Sequence, residues 1–434
     1  MHENRENLPQ WIHGNRVDEV AFCQEFLQEN QMVSFDGAFF SREGRISDEN
    51  KLRRMIYEKL QGHVQCAVSR KVESILSTMR LACQTDPPPI DDDKIHVKNG
   101  TYSLRNGFTE EKYFCRHRLP VNFYWNPPEP TVWLNFLDEL LDPVDIETLQ
   151  EFMGYCLIPT TRAQKMLLIT GRGGEGKSRI GVVMKHILGC NMNLGSIAKV
   201  EASPFARADL EHLLLMVDDD LKIEALNSTN HIKSIITAEL PMDLERKGIQ
   251  SYQGRLTTRF MAFGNGTLQA MHDRSHGFFR RQIILDALPK RDDRVDDPYL
   301  SEKLIAEIDS IFFWCFQGLY RLMSNDFQFT ISPRAEENMQ KAISDGNNIV
   351  EFMKSTGYFS FDYSGSITSR QFYDIYRTWC DDNAFKPLCD KTFWSYLREN
   401  AQAYGISYTN NIAIGNGRCA RGFRYIRAEH RPHT

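Results

Sequence analysis

The sharpest chemical pattern in the chain is the run Met166–Ser178, MLLITGRGGEGKS. An apolar stretch, MLLIT, leads directly into Gly171-Arg172-Gly173-Gly174-Glu175-Gly176-Lys177-Ser178, and the helix-forming IGVVMKHIL follows. A strand, a glycine-rich loop of the GxxxxGK[ST] type and a helix, in that order, make a cradle for phosphate. The glycines let the backbone curl so that successive N–H groups and the positive end of the helix point at one anion. Lys177 would reach the β- and γ-phosphates of a nucleoside triphosphate such as ATP, and Ser178 would offer its hydroxyl to Mg2+.

A phosphate loop needs acidic partners on a neighbouring strand. His212–Val217 (HLLLMV) is an apolar run ending in Asp218-Asp219-Asp220. Phosphoryl transfer depends on positioning and charge neutralisation, so one carboxylate belongs in the metal shell and another beside the attacking water. Asp219 is assigned to the metal and Asp220 to the water; a register one residue earlier, with Asp218 on the metal side, stays open. Arg259–Asn265 (RFMAFGN) is a further apolar strand with Asn265 at its tip, where an amide can bond the γ-phosphate or the lytic water. Then come Arg280 and Arg281, just before the apolar QIILDAL. A guanidinium from a neighbouring subunit can neutralise transition-state charge on the γ-phosphate, which requires an oligomer.

These residues need elements to hold them. Short apolar runs alternate with amphipathic helices over about Thr161 to Asn325, the pattern of an α/β parallel sheet. Before it, helical spacing is read over Val17–Asn30, Glu49–Gln61, Ala67–Cys83 and Ile146–Leu157, broken by Pro87-Pro88-Pro89, after which a short strand turns on Asn99-Gly100, and by NPPEP. The boundaries expected are an α-rich domain over 1–94, a helical domain over 95–160, the motor core over 161–344 and a tail over 345–434. In the tail, three helices (Ile349–Met353, Ser369–Cys380, Asp390–Asn400) precede two strands joined at Gly415-Asn416-Gly417, a winged-helix arrangement. The chain of 434 residues is 25% charged and 41% hydrophobic, has no apolar run long enough for a membrane span and no secretory signal at its N-terminus, so a cytoplasmic protein is expected. Its ten cysteines form no CxxC pair, which speaks against a zinc or disulfide framework. A formal net charge of −5 means that any nucleic-acid contact must be concentrated in a patch or channel.

The order GRGGEGKS, LLLMVDDDL, ITAELPMDLERKGIQ, RFMAFGN and FFRRQIIL resembles motifs A, B, B′, C and the arginine finger of superfamily-3 helicases. More closely, it resembles the helicase half of satellite-phage and plasmid primase–helicases and related mobile-element replicative helicases. FCRHRLPVNFYWNPPEPTVWLNFLDELL and LQEFMGYCLIP are similar to the helical domain preceding that motor, and SITSRQFYDIYRTWCDDNAFKPLCDKTFWSYLREN resembles its C-terminal winged helix. The resemblance spans about Ile95 to Ile426. It implies an AAA+-like P-loop NTPase core in a hexameric ring, DNA in the central channel and usually 3′-to-5′ translocation: an ATP-dependent DNA helicase of a phage, plasmid or other mobile element. The alternative is an ATP-dependent initiator or loader that remodels origin DNA without processive unwinding. Where the family usually shows an Asn-Glu pair, this chain has Asp219-Asp220. Asp91-Asp92-Asp93, flanked by prolines, reads as an acidic linker rather than a primase centre, so a primase or polymerase would be a separate partner.

Contacts to single-stranded and duplex DNA are expected at two places. Arg246 and Lys247, in Glu245-Arg246-Lys247-Gly248, sit at an expected hairpin tip, where such helicases grip the phosphate backbone. In the tail, Lys391 and Arg398 lie on a helix with Trp394 and Tyr396, and Arg418, Arg421, Arg424, Arg427 and Arg431 face a single acid, Glu429. A basic wing beside such a helix suits phosphate and groove contact.

Overall fold

The computed structural model describes residues 9–14, 16–221, 228–265, 276–291, 295–346, 348–383, 385–414 and 418–429. The chain divides into two compact units, 1–338 and 339–434. The linking 415–417 turn expected in the tail, and Arg431, lie outside the described residues.

The centre of the first unit is a five-stranded parallel sheet. Its strands are β1 (Met166–Thr170), β2 (Met192–Leu194), β3 (Leu215–Leu221), β4 (Arg259–Gly264) and β5 (Gln282–Asp286), in the spatial order β2-β3-β4-β1-β5. Every residue of β1 is buried, as expected for a strand covered on both faces. Register places Thr170 beside Gly264 on β4 and beside Asp286 on β5, so the strands end together. β3 pairs regularly with β4 up to Asp218↔Ala262, then shifts before Leu221↔Gly264. That irregularity falls inside the aspartate run.

The segment from 95 to 160 is not helical throughout. It opens as a four-stranded sheet built from Lys94–Val97, Gly100–Ser103, Gly107–Thr109 and Arg118–Leu119. Alternating burial along KIHV, with Ile95 and Val97 inside, is the reason, and its antiparallel pairing with Gly100–Ser103 is the short strand and turn expected there. The helices Thr131–Leu140 and Pro143–Tyr155 follow, and share one core with the parallel sheet and with helix Ile308–Ser324. Gly154 and Gly318 permit that helix crossing, because a Cβ on either would lie 2.3 Å from a facing backbone oxygen. Buried Arg259, at the start of β4, donates to the carbonyls of Thr160 (3.3 Å), Thr257 (2.7 Å) and Ile158, and lies over the Tyr155 ring. This ties the helical segment to the sheet.

The first helices run over Glu19–Asn30, Glu49–Leu60 and Val68–Ala82 around Phe22, Phe26, Ile56, Ile75 and Met79. Arg45, from the small sheet between them, donates to the Cys190 carbonyl at 2.6 Å, just before β2. Asp91 and Asp92 of the acidic run are bound to Lys94 (2.5 Å) and Arg162 (3.0 Å).

In the second unit, helix Asn348–Lys354 precedes strand Ser366–Thr368, helices Ser369–Asp382 and Asp390–Glu399, and a hairpin of Ser407–Ala413 with Cys419–Arg424. Strand Ser366–Thr368 joins the hairpin as a third, antiparallel member. Thr368 and Gln371 form a reciprocal capping box that starts the longer helix. The core is aromatic, with Phe352, Phe372, Tyr376, Phe393 and Phe423 in mutual contact.

Candidate functional site

Parallel strands ending at one edge put their following loops side by side, and in open α/β sheets ligands bind at that edge. Here the loop after β1 curls with Gly173, Gly174 and Gly176 at φ of +104°, +85° and +105°, a region that residues with a Cβ avoid. Helix Ser178–Leu188 starts at once, so its first N–H groups face the loop. The loop forms one wall of a cavity of about 620 Å³.

The same cavity is lined by Lys177, Ser178, Asp219, Asp220 and Asn265, so side chains separated in sequence meet at the sheet edge. Asp219 and Asp220 are exposed, whereas Asp218 is buried and accepts from the Ile197 N–H at 2.8 Å. Burial pushes the Asp218 carboxyl above its ordinary value, opposed by that N–H and reinforced by the adjacent Asp220 and Asp219 charges. The bulge in β3 thus turns one carboxylate inward and leaves the next two at the cavity. Asn265 stands at the tip of β4, next to Gly264, whose carbonyl accepts from Gly171 N–H at 3.0 Å.

Lys177 is only 7% exposed, and its ammonium lies 2.6 Å from the carboxylate of Glu175, itself 2% exposed. The cavity is further lined by Arg179, Phe263, Asp296, Asp297, Pro298 and Leu300. Arg179 donates to the Ser301 hydroxyl at 2.6 Å, and Asp297 is paired with Lys303 at 2.6 Å. None of these lining residues was anticipated from sequence. Arg179 adjoins the loop motif, which was a usable signal; Asp296–Leu300 carries no pattern that singles it out.

Arg280 and Arg281 lie at the other end of the sheet. Arg280 is exposed and precedes β5, and the neighbouring Arg281 carbonyl accepts from the Met166 N–H at the start of β1. With a rise of roughly 3.3 Å per residue, the length of β5 puts about 16 Å between Arg280 and the cavity edge of its own sheet. Arg281 is half-buried and donates to the Gly277 carbonyl.

Met242–Arg246 and Ile249–Gly254 form the expected antiparallel hairpin, turning at Lys247-Gly248 with Gly248 at φ +75°. The two cations differ in situation. Lys247 is exposed at the turn, but Arg246 is half-buried and ion-paired with Glu211, which also accepts from the Tyr252 hydroxyl at 2.8 Å. In the second unit, Lys391, Arg398, Arg418, Arg421, Arg424 and Arg427 are exposed. Trp394 and Tyr396 instead pack against the aromatic core, Trp394 stacking on Phe423 at 6.0 Å between ring centroids. Cys389 is the N-cap of their helix, and the Asp390 carboxylate accepts from the Lys391 N–H at 2.7 Å.

A parallel sheet with a glycine-rich phosphate cradle and carboxylates at one edge is consistent with an α/β NTPase-like core. Residues 169–281 match the model of a family of unknown function, DUF5906, and residues 25–142 match a model described as D5 N terminal like. Each match covers one part of the chain, and neither description names an activity. The chain is similar to the apo structure of the NrS-1 C-terminal region, with a TM-score of 0.57 at 12% identity, covering 95% of this chain and 100% of that one. It is also similar to an A-form apo structure of that region, with a TM-score of 0.50 at 13% identity, covering 93% and 98%. At such identity the likeness shows a shared fold. No curated protein matches the chain. Among the described residues no helix is long and apolar enough to cross a membrane.

Proposed function

We propose that this chain is an ATP-dependent DNA helicase of a mobile genetic element, with an AAA+-like, superfamily-3 motor working as a ring, a hexamer by resemblance, and a winged-helix tail. The observation that carries the reading is the convergence of Lys177, Ser178, Asp219, Asp220 and Asn265 on one cavity at the end of a parallel sheet ordered β2-β3-β4-β1-β5. Lys177 and the loop N–H groups bind and orient the phosphates. Asp220 accepts a proton from the attacking water, and Asn265 holds that water or the γ-phosphate by its amide. The Ser178 hydroxyl and Asp219 carboxylate are hard oxygen donors that suit Mg2+, which when bound neutralises charge on the phosphates.

Arg280 cannot serve the cavity of its own sheet from the far end of β5. It is the group offered to the cavity of a neighbouring subunit, which makes the active unit an oligomer. Lys247 at the hairpin turn is the contact that moves with hydrolysis along a single strand, and the exposed arginines of the second unit hold duplex DNA. The resemblance favours 3′-to-5′ movement, with a separate primase or polymerase as partner.

A strand-displacement assay on duplexes with 3′ or 5′ single-stranded tails, run beside an ATPase assay with and without single-stranded DNA, tests this. Displacement from a 3′ tail that stops in Arg280→Ala and returns when that variant is mixed with Lys177→Ala supports the reading. Stimulated hydrolysis without displacement from either tail would select the initiator or loader instead.

A further inference from the structure

The phosphate loop already holds an anion, and the anion is its own. The Glu175 side chain folds back into the curl of the loop. One carboxylate oxygen accepts from the N–H groups of Arg172 (2.5 Å) and Gly173 (2.9 Å). The other accepts from Gly173 N–H (3.0 Å) and from the Lys177 ammonium (2.6 Å). Backbone N–H groups of the curl and the lysine are the donors that a loop of this kind presents to nucleotide phosphates. The fit is close: a Cβ at Gly171 would stand 2.6 Å from the Lys177 ammonium and 3.0 Å from the Glu175 carboxyl. The absence of a side chain there makes room for the pair.

We propose that Glu175 is a built-in occupant of the phosphate subsite, an internal anion that an incoming nucleotide must displace. This rests on the phosphate-loop reading above. The motif leaves position 175 unspecified, so the catalytic pattern does not require a carboxylate there. A glutamate is nevertheless long enough to turn back on the loop, and its charge matches that of the ligand it stands in for. Burial pushes the Glu175 carboxyl up, but the Lys177 ammonium and the loop N–H groups outweigh it, and the net shift is below the ordinary carboxylate value. The group is therefore ionised in the loop at neutral pH.

Two consequences follow from exchanging one anion for another. The empty loop stays curled, because Lys177 keeps a counter-charge and the N–H groups keep an acceptor; left buried without them, they would cost stability. Nucleotide affinity is also lower than the loop could give, since every bond to phosphate replaces one to Glu175. Departing nucleotide is replaced by the same carboxylate, so ADP leaves a loop that does not collapse.

The experiment is a titration of wild type, Glu175→Gln, Glu175→Asp and Lys177→Ala with ADP. Glu175→Gln keeps size and removes charge; Glu175→Asp keeps charge and shortens the reach. Charge-assisted bonds of this kind, once removed from the competition, correspond to about a tenfold tighter Kd in Glu175→Gln, with a smaller gain in Glu175→Asp. A Glu175→Gln Kd equal to or weaker than wild type overturns the proposal. If Lys177→Ala loses ADP while Glu175→Gln binds as wild type, the phosphate-loop reading stands and only the displaced anion falls. If neither wild type nor Glu175→Gln binds ADP, both fall. A structure of the wild-type protein with pyrophosphate is an independent check: the Glu175 carboxylate must have left the Arg172 and Gly173 N–H groups, and finding it still there beside bound pyrophosphate overturns the proposal without recourse to any variant.

Discussion

The phosphate loop and the Met242–Gly254 hairpin treat a cation in opposite ways, although each pairs one with a glutamate. In the loop, Lys177 and Glu175 lie two residues apart, both nearly inaccessible to solvent. In the hairpin, Arg246 finds Glu211 far upstream in sequence, the pair is half-exposed, and Lys247 next to it remains exposed at the turn. Separating a buried pair is costly because it leaves a charge uncompensated, whereas a half-exposed pair is weakly coupled and can brace an element while its neighbour stays open to solvent. One motif residue is thus held in a buried pair and the other is spent on structure.

The largest effect should come from breaking the loop pair on its cationic side. Lys177→Ala is expected to lower ATP turnover by on the order of 10³-fold, as for other phosphate-stabilising cations. It also leaves Glu175 buried without its ammonium, so melting temperature should fall in the absence of nucleotide. Turnover near the wild-type rate would remove the loop from the mechanism altogether.

Next in size is the carboxylate pair. Asp220→Asn should still bind nucleotide but hydrolyse it roughly 10²-fold more slowly, the lower end for loss of a general base. Asp218→Asn should instead act on folding, because that carboxyl is buried on the Ile197 N–H. Slow hydrolysis in a fully stable Asp218→Asn protein would move the register by one residue.

The hairpin brace predicts a smaller loss. Glu211→Gln keeps the shape but removes the charge held between Arg246 and Tyr252, and should cost about 1–3 kcal/mol of stability by denaturant unfolding. No change in the unfolding midpoint would mean that Arg246 is not committed to the brace. Smallest of all is Lys247→Ala, which should make the salt dependence of single-strand binding shallower by roughly one contact per subunit and reduce the stimulation of ATPase by DNA. A salt slope equal to wild type would make the turn a surface feature only.

Much of the architecture was legible locally. The amphipathic helices at Glu19–Asn30, Glu49–Leu60, Val68–Ala82 and Ser369–Asp382 lie within a few residues of where apolar spacing and caps put them. In the sheet over 94–119 the strand turning at Asn99-Gly100 was legible from its turn residues, whereas Gly107–Thr109 and Arg118–Leu119 are too short to show an alternation. Trp394 and Tyr396 looked available to DNA because aromatic side chains on a helix beside Lys391 and Arg398 look alike whether they face a groove or a core.

By itself the sequence determined the strand, loop and helix around Lys177, since the glycines, the lysine and the hydroxyl act through contiguous backbone whose conformation is set by neighbouring residues. It also determined that acids and an amide would end two further apolar strands. Only the tertiary structure decided which aspartates reach the cavity, because that depends on the pairing of β3 with β4 and on the bulge inside the acidic run. It likewise decided that Arg280 stands at the far end of the sheet, that Glu211 claims Arg246, and that Asp296, Asp297, Pro298 and Leu300 line the cavity. Spacing along a chain sets backbone shape over a few residues, while the partner of a side chain is set by strand order, register and burial, which no local pattern carries.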